Sequence, residues 1–334
     1  MLSKCHNTTA NLKRNTDSTA AMAAKKLQRW EKTTPWTPPC GKICSYGWDV
    51  KKHGKYYPSL YKAVNCSNTL YRMAHSPYPV IQPPPRRPPR DLLNNFTIHG
   101  LCPVSNMLQY FDQSNGNIIK KLHYNATAFR KLLELDHVTN INVYRDNYVF
   151  KHALHKYQHL IHEKRVAVVG TQKPWAEAML LNLGAKSVTT IEYRALVVDD
   201  ERVTTITPYS LAKQFISGQA VPFDTVLTFS SLEHSGLGRY GDPISPFGDL
   251  EATAQVWCMV KPGGHFILAV PTFKDRKKCL LVWNAHRIYG FVRLQHLTAN
   301  WHVLDEIESY QKKRLQSHST FVLQKVEFGQ SWLE

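Results

Sequence analysis

The densest run of side chains able to do chemistry follows Phe229 and reads SSLEHSGLGRYGDPISPFGD, residues 230–249. Its opening places Ser230, Ser231, Glu233 and His234 within five positions. An imidazole titrates near neutrality, so His234 is the candidate general base for taking a proton from a hydroxyl. Glu233 beside it is able to orient that ring or to bind a cofactor. Arg239, Tyr240 and Asp242 in the glycine-punctuated continuation can anchor a polar substrate through charge and hydrogen bonds.

Such residues need elements that hold them at one place. Phe223–Phe229 alternates and then runs apolar, the pattern of a strand buried on both faces. Asp249 is an N-cap candidate for a helix through Val260, and Lys261-Pro262-Gly263-Gly264 is a natural stop. His265–Val270 then reads as a second buried strand, so the unit is a crossover joining parallel strands. In an open sheet of this kind ligands sit beyond the carboxyl ends of the strands, which is where the polar run falls.

The chain before it supplies more of the same sheet. Arg165–Gly170 reads as a first strand ending in a glycine, with Thr171, Gln172 and Lys173 leading to Pro174 at a helix start. Gly184 closes that helix, and Ser187–Ile191 is the second strand, ending in Glu192. An acid about 20 residues after the glycine turn is placed to accept hydrogen bonds from ribose hydroxyls. Tyr193 beside it could stack on a base. Val203–Ile206 is a short third strand, followed by Thr207-Pro208-Tyr209 with no acid. The chain closes with two strand patterns, His302–Ile307 and Ser319–Val326, expected to form an antiparallel pair at the end of an otherwise parallel sheet.

The order of FD-apolar strand, SSLEH, helix, KPGG and strand resembles the second half of a class I S-adenosylmethionine-dependent methyltransferase. More narrowly, SSLEHSGLGRYGDPISPFGD with the later WNAHRIYG resembles a family of uncharacterised worm and bacterial proteins, itself a domain of unknown function. The resemblance covers about residues 145–327. It implies an α/β, Rossmann-like sheet with a closing antiparallel pair, and S-adenosylmethionine as cofactor. It places Gly170, Thr171, Gln172, Glu192, Tyr193, Ser230 and Ser231 on the cofactor. His234 and Glu233 are then catalytic, while Arg239, Tyr240, Asp242, His286 and Arg287 are substrate-binding, with the WNAHR segment as a roof over the pocket. Two departures stand out: a lone Gly170 replaces a glycine-rich loop, and the acid that often reads the adenine amine is missing after the third strand.

Two readings of function follow. One is a methyltransferase acting on a polar small molecule or a sugar hydroxyl. The other, favoured by the two departures, is an inactive Rossmann module that binds or scaffolds through its N-terminal arm. A nicotinamide-dependent enzyme is disfavoured by KPGG and the closing strand pair.

The 334 residues allow about two domains. We expect a basic disordered tail over 1–35, an irregular region over 36–143 and the Rossmann-like domain over 144–328. No apolar run approaches the length of a membrane span. The first 100 residues hold 16 Lys/Arg against 4 Asp/Glu, so +12 of the formal net charge of +17 sits there. No nucleic-acid motif accompanies that charge, and a solvated arm accounts for it. Gln82–Arg90 is a polyproline II segment, read as a stiff linker or a ligand for a proline-recognising partner. The basic loop Lys274, Arg276, Lys277 and Lys278 is expected in solvent, where it could attract an acidic substrate.

The helix expected over Tyr144–Glu163 carries His152, His155, His159 and His162 opposite its apolar face. No carboxylate or cysteine completes a ligand set, so the stripe is expected in solvent with no metal. Cys40, Cys44, Cys66 and Cys102 are an even set able to form two disulfides in an oxidising compartment, while Cys258 and Cys279 read as small packing residues. Four Asn-x-Ser/Thr sequons, at Asn7, Asn65, Asn95 and Asn125, cluster in the first 125 residues, where about two would arise by chance. The start carries no signal-peptide pattern, so an intracellular protein is the default expectation; an N-terminus that is incomplete would reconcile the sequons with a secretory lumen.

Overall fold

The structure is a computed structural model that describes residues 64–76, 83–106, 110–113, 122–136, 147–194, 196–308 and 316–326. The tail expected over 1–35 lies outside these residues, as do Cys40 and Cys44. In chain order the elements are α1 (Cys66–Ala74), α2 (Leu93–Phe96), β1 (Leu122–Tyr124), α3 (Ala126–Asp136), α4 (Asn147–Lys156), β2 (Arg165–Val169), α5 (Trp175–Asn182), β3 (Ser187–Ile191), β4 (Leu196–Val198) and β5 (Val203–Ile206). There follow α6 (Pro208–Ile216), β6 (Phe223–Phe229), α7 (Gly248–Met259), β7 (Val260–Phe273), β8 (Leu280–Val282), β9 (His286–Ile288), α8 (Phe291–Leu297), β10 (Trp301–Glu308) and β11 (Gln316–Lys325).

The main sheet has seven strands in the order β10-β11-β7-β6-β2-β3-β5. Strands β5, β3, β2, β6 and β7 pair in parallel, and β11 enters antiparallel beside β7 with β10 antiparallel outside it. This is the expected Rossmann-like sheet with its closing antiparallel pair. Because successive strand residues point to opposite faces, the central strands feed two cores. Ala167, Val226, Phe266 and Leu268 pack with α1, α6, α7 and α8, while Val166, Val168, Leu227 and Ile267 pack with α3, α4 and α5.

Four local departures from the expected elements have physical causes. Helix α7 begins at Gly248 behind Phe247 as N-cap, so Asp249 lies inside the first turn with its carboxylate turned to buried arginines. Lys261–Gly264 is not a separate turn. It is absorbed into β7 as a register shift opposite β6, with Pro262 lacking an N–H and Gly263 at φ 65°. The histidine helix is shorter than expected and ends at Lys156, with a 3-10 turn at Gln158–Leu160. His152, His155, His159 and His162 are all exposed, and no metal-holding cluster occurs among the described residues. Arg276 is the fourth: far from being solvated, it is 6% exposed. Its guanidinium donates to Glu306 (2.6 Å), Glu308 (2.7 Å), Ser319 Oγ (2.7 Å) and the Phe273 carbonyl (2.5 Å), tying the closing strands to β7.

Several of the described residues before 144 are joined to the α/β core. Disulfides link Cys66 to Cys258 and Cys102 to Cys279, correcting the expectation that the N-terminal cysteines pair with each other. Such partners are 192 and 177 positions apart, and neither spacing nor composition identifies them. Strand β1 pairs in parallel with β4 as a separate two-stranded sheet. The proline segment also docks: Pro84 is buried, its carbonyl accepts from Tyr110 Oη (2.7 Å), and the Pro85 carbonyl accepts from Trp283 Nε1 (2.8 Å). Two of the segment's carbonyls, those of Pro84 and Pro85, are therefore met inside the chain. No helix among the described residues is long and apolar enough to cross a membrane.

Candidate functional site

A cavity of about 960 Å³ opens at the carboxyl ends of β2, β3 and β6, within the size range of small-molecule and cofactor sites. Its walls come from the loops after those three strands, from α7 and from one side of α1, which contributes Tyr71, Arg72 and Met73. Arg72 is held there by Glu251 of α7 at 2.7 Å.

Most of the residues singled out in the sequence meet in this cavity. Gly170, Thr171, Gln172, Glu192, Tyr193, Ser230, Ser231, His234, Arg239, Tyr240 and Asp242 all line it. Glu233, His286 and Arg287 do not. Glu233 is 1% exposed behind Ser230 and His234. The Trp283–Arg287 segment packs against the back of the 230–245 loop instead of roofing the opening.

Gly170 sits at φ 75°, and a Cβ there would lie 1.8 Å from Ser231 Oγ. The loops after β2 and β6 thus touch at a point only glycine permits. Thr171 is buried and donates to the Lys173 carbonyl, fixing the turn into α5. Glu192 accepts the N–H groups of Tyr193 (2.8 Å) and Arg194 (3.2 Å) on Oε1. Burial raises its carboxyl to about 7 against the pull of those donors. Tyr193 and Tyr209 stand partly exposed at the cavity's edge. After β5, Thr207 caps α6 by accepting from Ser210 N, so the position where an acid was missed serves the helix.

The polar run forms a wound loop. Asp242 Oδ2 accepts from Gly236 N (2.6 Å) and Gly238 N (3.1 Å), and Oδ1 from Tyr240 N (3.2 Å). Gly236 is at φ 80°, where an added Cβ would meet the Ser245 carbonyl at 2.1 Å. Arg287, 2% exposed, fastens the loop from behind by donating to the carbonyls of Ser235 (2.6 Å), Glu233, Ser245 and Pro246. Arg293 and Tyr289 converge with it on Asp249: Arg293 donates at 2.5 and 2.7 Å, and Tyr289 Oη at 2.9 Å. Burial opposes ionisation of Asp249, but the two guanidinium groups win and hold its carboxyl down at about 2.

His234 is fixed by its ring nitrogens. Nδ1 meets the Ala285 carbonyl at 2.5 Å, and a carbonyl can only accept, so Nδ1 carries the proton. Nε2 is then the unprotonated atom, 3.8 Å from Glu233 Oε1. Burial, with Arg239 and His286 adding to it, pushes His234 down to about 3, out of the near-neutral range that made it the base candidate, although the Ala285 bond pulls the other way. Glu233 accepts from Ser230 Oγ at 2.5 Å on Oε1, while its buried Oε2 has no hydrogen-bond partner among the described residues. Burial raises this carboxyl to about 7. Ser230 itself is a non-glycine residue at φ 48°. His286 stands edge-on to His234 with ring centroids 6.2 Å apart and is itself pushed down to about 4 by burial.

Sequence reasoning missed three contributors. His318 of β11 stacks on Phe229 and lies 3.4 Å from Ser230 Oγ, so the antiparallel strand delivers a ring to the carboxyl ends of its parallel neighbours. A histidine among the apolar residues of a closing strand was the signal. Glu177 of α5 is fully buried beneath β3, accepts from Thr190 Oγ1 (2.8 Å) and is raised to about 7 by burial. Its position on an apolar helix was the only hint. Helix α1, which closes one wall, gave none.

The sheet order and the cavity at its carboxyl edge define a Rossmann-like fold of the class I methyltransferase type. The chain belongs to the family described as Caenorhabditis protein of unknown function, DUF268, which matches residues 163–332. Among solved structures it is similar to the 1,6-didemethyltoxoflavin-N1-methyltransferase of Burkholderia thailandensis bound to 1,6-didemethyltoxoflavin and S-adenosylhomocysteine, at 17% identity over 60% of this chain and 90% of that one, TM-score 0.39. It is also similar to the N-methyltransferase NodS of Bradyrhizobium japonicum WM9 in complex with S-adenosylhomocysteine, at 14% identity over 60% and 99%, TM-score 0.38. No curated protein matches the chain.

Proposed function

We propose that the chain is an S-adenosylmethionine-dependent methyltransferase acting on a hydroxyl of a polar small molecule or sugar. The observation that carries this reading is His234: a neutral ring with Nδ1 bound to the Ala285 carbonyl and the lone pair of Nε2 beside Glu233, at the mouth of the β6 loop. The cavity suits the cofactor in two respects. Gly170 lets the loops after β2 and β6 meet at the cavity wall, and the Glu192 carboxylate lines the wall where ribose hydroxyls would donate. Gly170, Thr171 and Gln172 would hold its amino-acid end, and Tyr193 and Tyr209 would flank its base. When bound, S-adenosylmethionine supplies an electrophilic methyl group.

Every other part of the chemistry falls to the protein. Arg239 and Tyr240 border the space beside His234 and orient the acceptor, with Asp242 holding their loop in shape, which is where positioning contributes most to a two-substrate reaction. His234 Nε2 accepts the hydroxyl proton as the oxygen gains its methyl. The imidazolium so formed lies 3.8 Å from Glu233, whose ionised form stabilises it. The strained Ser230 keeps Glu233 in place by its 2.5 Å hydrogen bond, a use of backbone strain common at reactive sites.

His234→Ala should abolish methyl transfer to an acceptor while leaving S-adenosylmethionine affinity nearly intact in calorimetry. An active variant would remove His234 as the base. If the unaltered protein binds the cofactor but transfers nothing across a panel of hydroxylated acceptors, the binding-module reading takes over.

A further inference from the structure

We infer that this chain is a glycoprotein of an oxidising secretory compartment, with N-linked glycans on Asn65 and Asn125. The first observation is the pair of disulfides. Cys66–Cys258 joins α1 to α7, Cys102–Cys279 joins the segment after α2 to the loop before β8, and Cys102 and Cys279 are 3% and 4% exposed. Structural disulfides between segments so far apart form and persist where proteins are secreted, and are rare where glutathione and thioredoxin keep thiols reduced. Forming the two bonds releases four protons and four electrons, the electrons passing to two disulfides of an exchanging oxidoreductase.

The second observation is independent and concerns the sequons. Asn65, in Asn65-Cys66-Ser67, is exposed at the start of α1. Its Oδ1 accepts from Asn68 N at 2.9 Å, which directs the capping oxygen inward and leaves Nδ2 with no hydrogen-bond partner among the described residues. Asn125, in Asn125-Ala126-Thr127, repeats this arrangement before α3: it is exposed, and Oδ1 accepts from Ala128 N at 2.9 Å. Thr127 is exposed as well. Neither asparagine lines the cavity, so a bulky glycan on either leaves the site open. Asn95 differs. It is half-buried, and Thr97 of its sequon is 6% exposed with Oγ1 bonded to the Leu93 carbonyl, so it is not part of the proposal.

The modification is a transfer from a lipid-linked oligosaccharide pyrophosphate. The Asn Nδ2 forms a bond to the sugar C1, the bond from C1 to the pyrophosphate oxygen breaks, the lipid pyrophosphate departs, and the amide loses one proton. Both glycans sit at helix starts whose capping oxygen is a different atom from the linked nitrogen, so the caps survive modification.

The test uses the full-length protein purified from the cells that naturally make it. Free thiols are blocked before reduction, and glycans are removed by peptide N-glycosidase in heavy-oxygen water, which converts each linked Asn to a labelled Asp. Peptide mass spectrometry should find labelled Asp at positions 65 and 125, and Cys66, Cys102, Cys258 and Cys279 unblocked until reduction. Unlabelled Asn at both positions would overturn the glycan assignment, even with the disulfides intact. Blocking of those four cysteines in the unreduced native protein would overturn the compartment.

Discussion

His234 and Glu233 are neighbours in sequence whose burial drives their proton affinities past each other, reversing their ordinary order. The imidazole is held neutral, at about 3, and the carboxyl is raised to about 7. Below pH 7 Glu233 is protonated and offers no charge to an imidazolium; above it the carboxylate does. Methyl transfer should therefore rise as pH passes through about 7, and Glu233→Gln should remove that rise and lower the plateau, read from a pH–rate profile. Glu192 makes a second prediction. Its removal takes away the proposed ribose acceptor and two backbone hydrogen bonds, so Glu192→Ala should weaken S-adenosylmethionine binding by about tenfold or more, at the scale of one charge-assisted hydrogen bond. Unaltered affinity in calorimetry would take Glu192 out of the site. The loop residues that touch the cavity were legible because polar side chains crowd a short span after an apolar strand. His318 was not, since its proximity to Ser230 exists only through the pairing of β11 with β7.

Among the elements, the loop after β6 depends on groups that never reach the cavity. Arg287 holds four of its carbonyls, and Arg287 and Arg293 in turn face the buried Asp249. Asp249→Asn would leave two guanidinium groups buried without their counter-charge, a loss of about 3–5 kcal/mol in denaturant unfolding. Because the folded-state value of Asp249 is depressed to about 2, its contribution is fully present above the unfolded value near 3.8. It is lost as pH falls through 2, so the unaltered protein should show an acid-unfolding component there that the variant lacks. The parallel strands were legible as elements because burial on both faces writes itself as apolar runs. Asp249 read as a helix cap because an acid at a helix start carries the same local signature whether it faces N–H groups or distant arginines. The same limit hid the bulge at Lys261–Gly264, which looks like a turn until β6 is set beside it.

At the scale of the whole molecule, the cavity is completed by a segment far from the sheet in sequence. Helix α1 supplies one wall and is tied to α7 by Cys66–Cys258 and by Arg72–Glu251. A cross-link closing a loop of 192 residues restricts the unfolded chain by about 5 kcal/mol in the chain-entropy picture. Cys66→Ser with Cys258→Ser should lower the melting temperature and weaken cofactor binding together. Binding unchanged in that variant would show that α1 holds its place without the bond. This stapling of distant segments could not be read in the sequence, where Cys66 and Cys102 read as part of an N-terminal set with Cys40 and Cys44, and Cys258 and Cys279 read as packing residues.

The proposed chemistry depends first on S-adenosylmethionine binding at the edge of this sheet. The most direct measurement is calorimetric titration of the full-length protein with S-adenosylmethionine, S-adenosylhomocysteine and NAD. Micromolar binding of the first two and none of NAD is the predicted result. A folded protein that binds none of the three would contradict the assignment of the Gly170–Glu192 cradle.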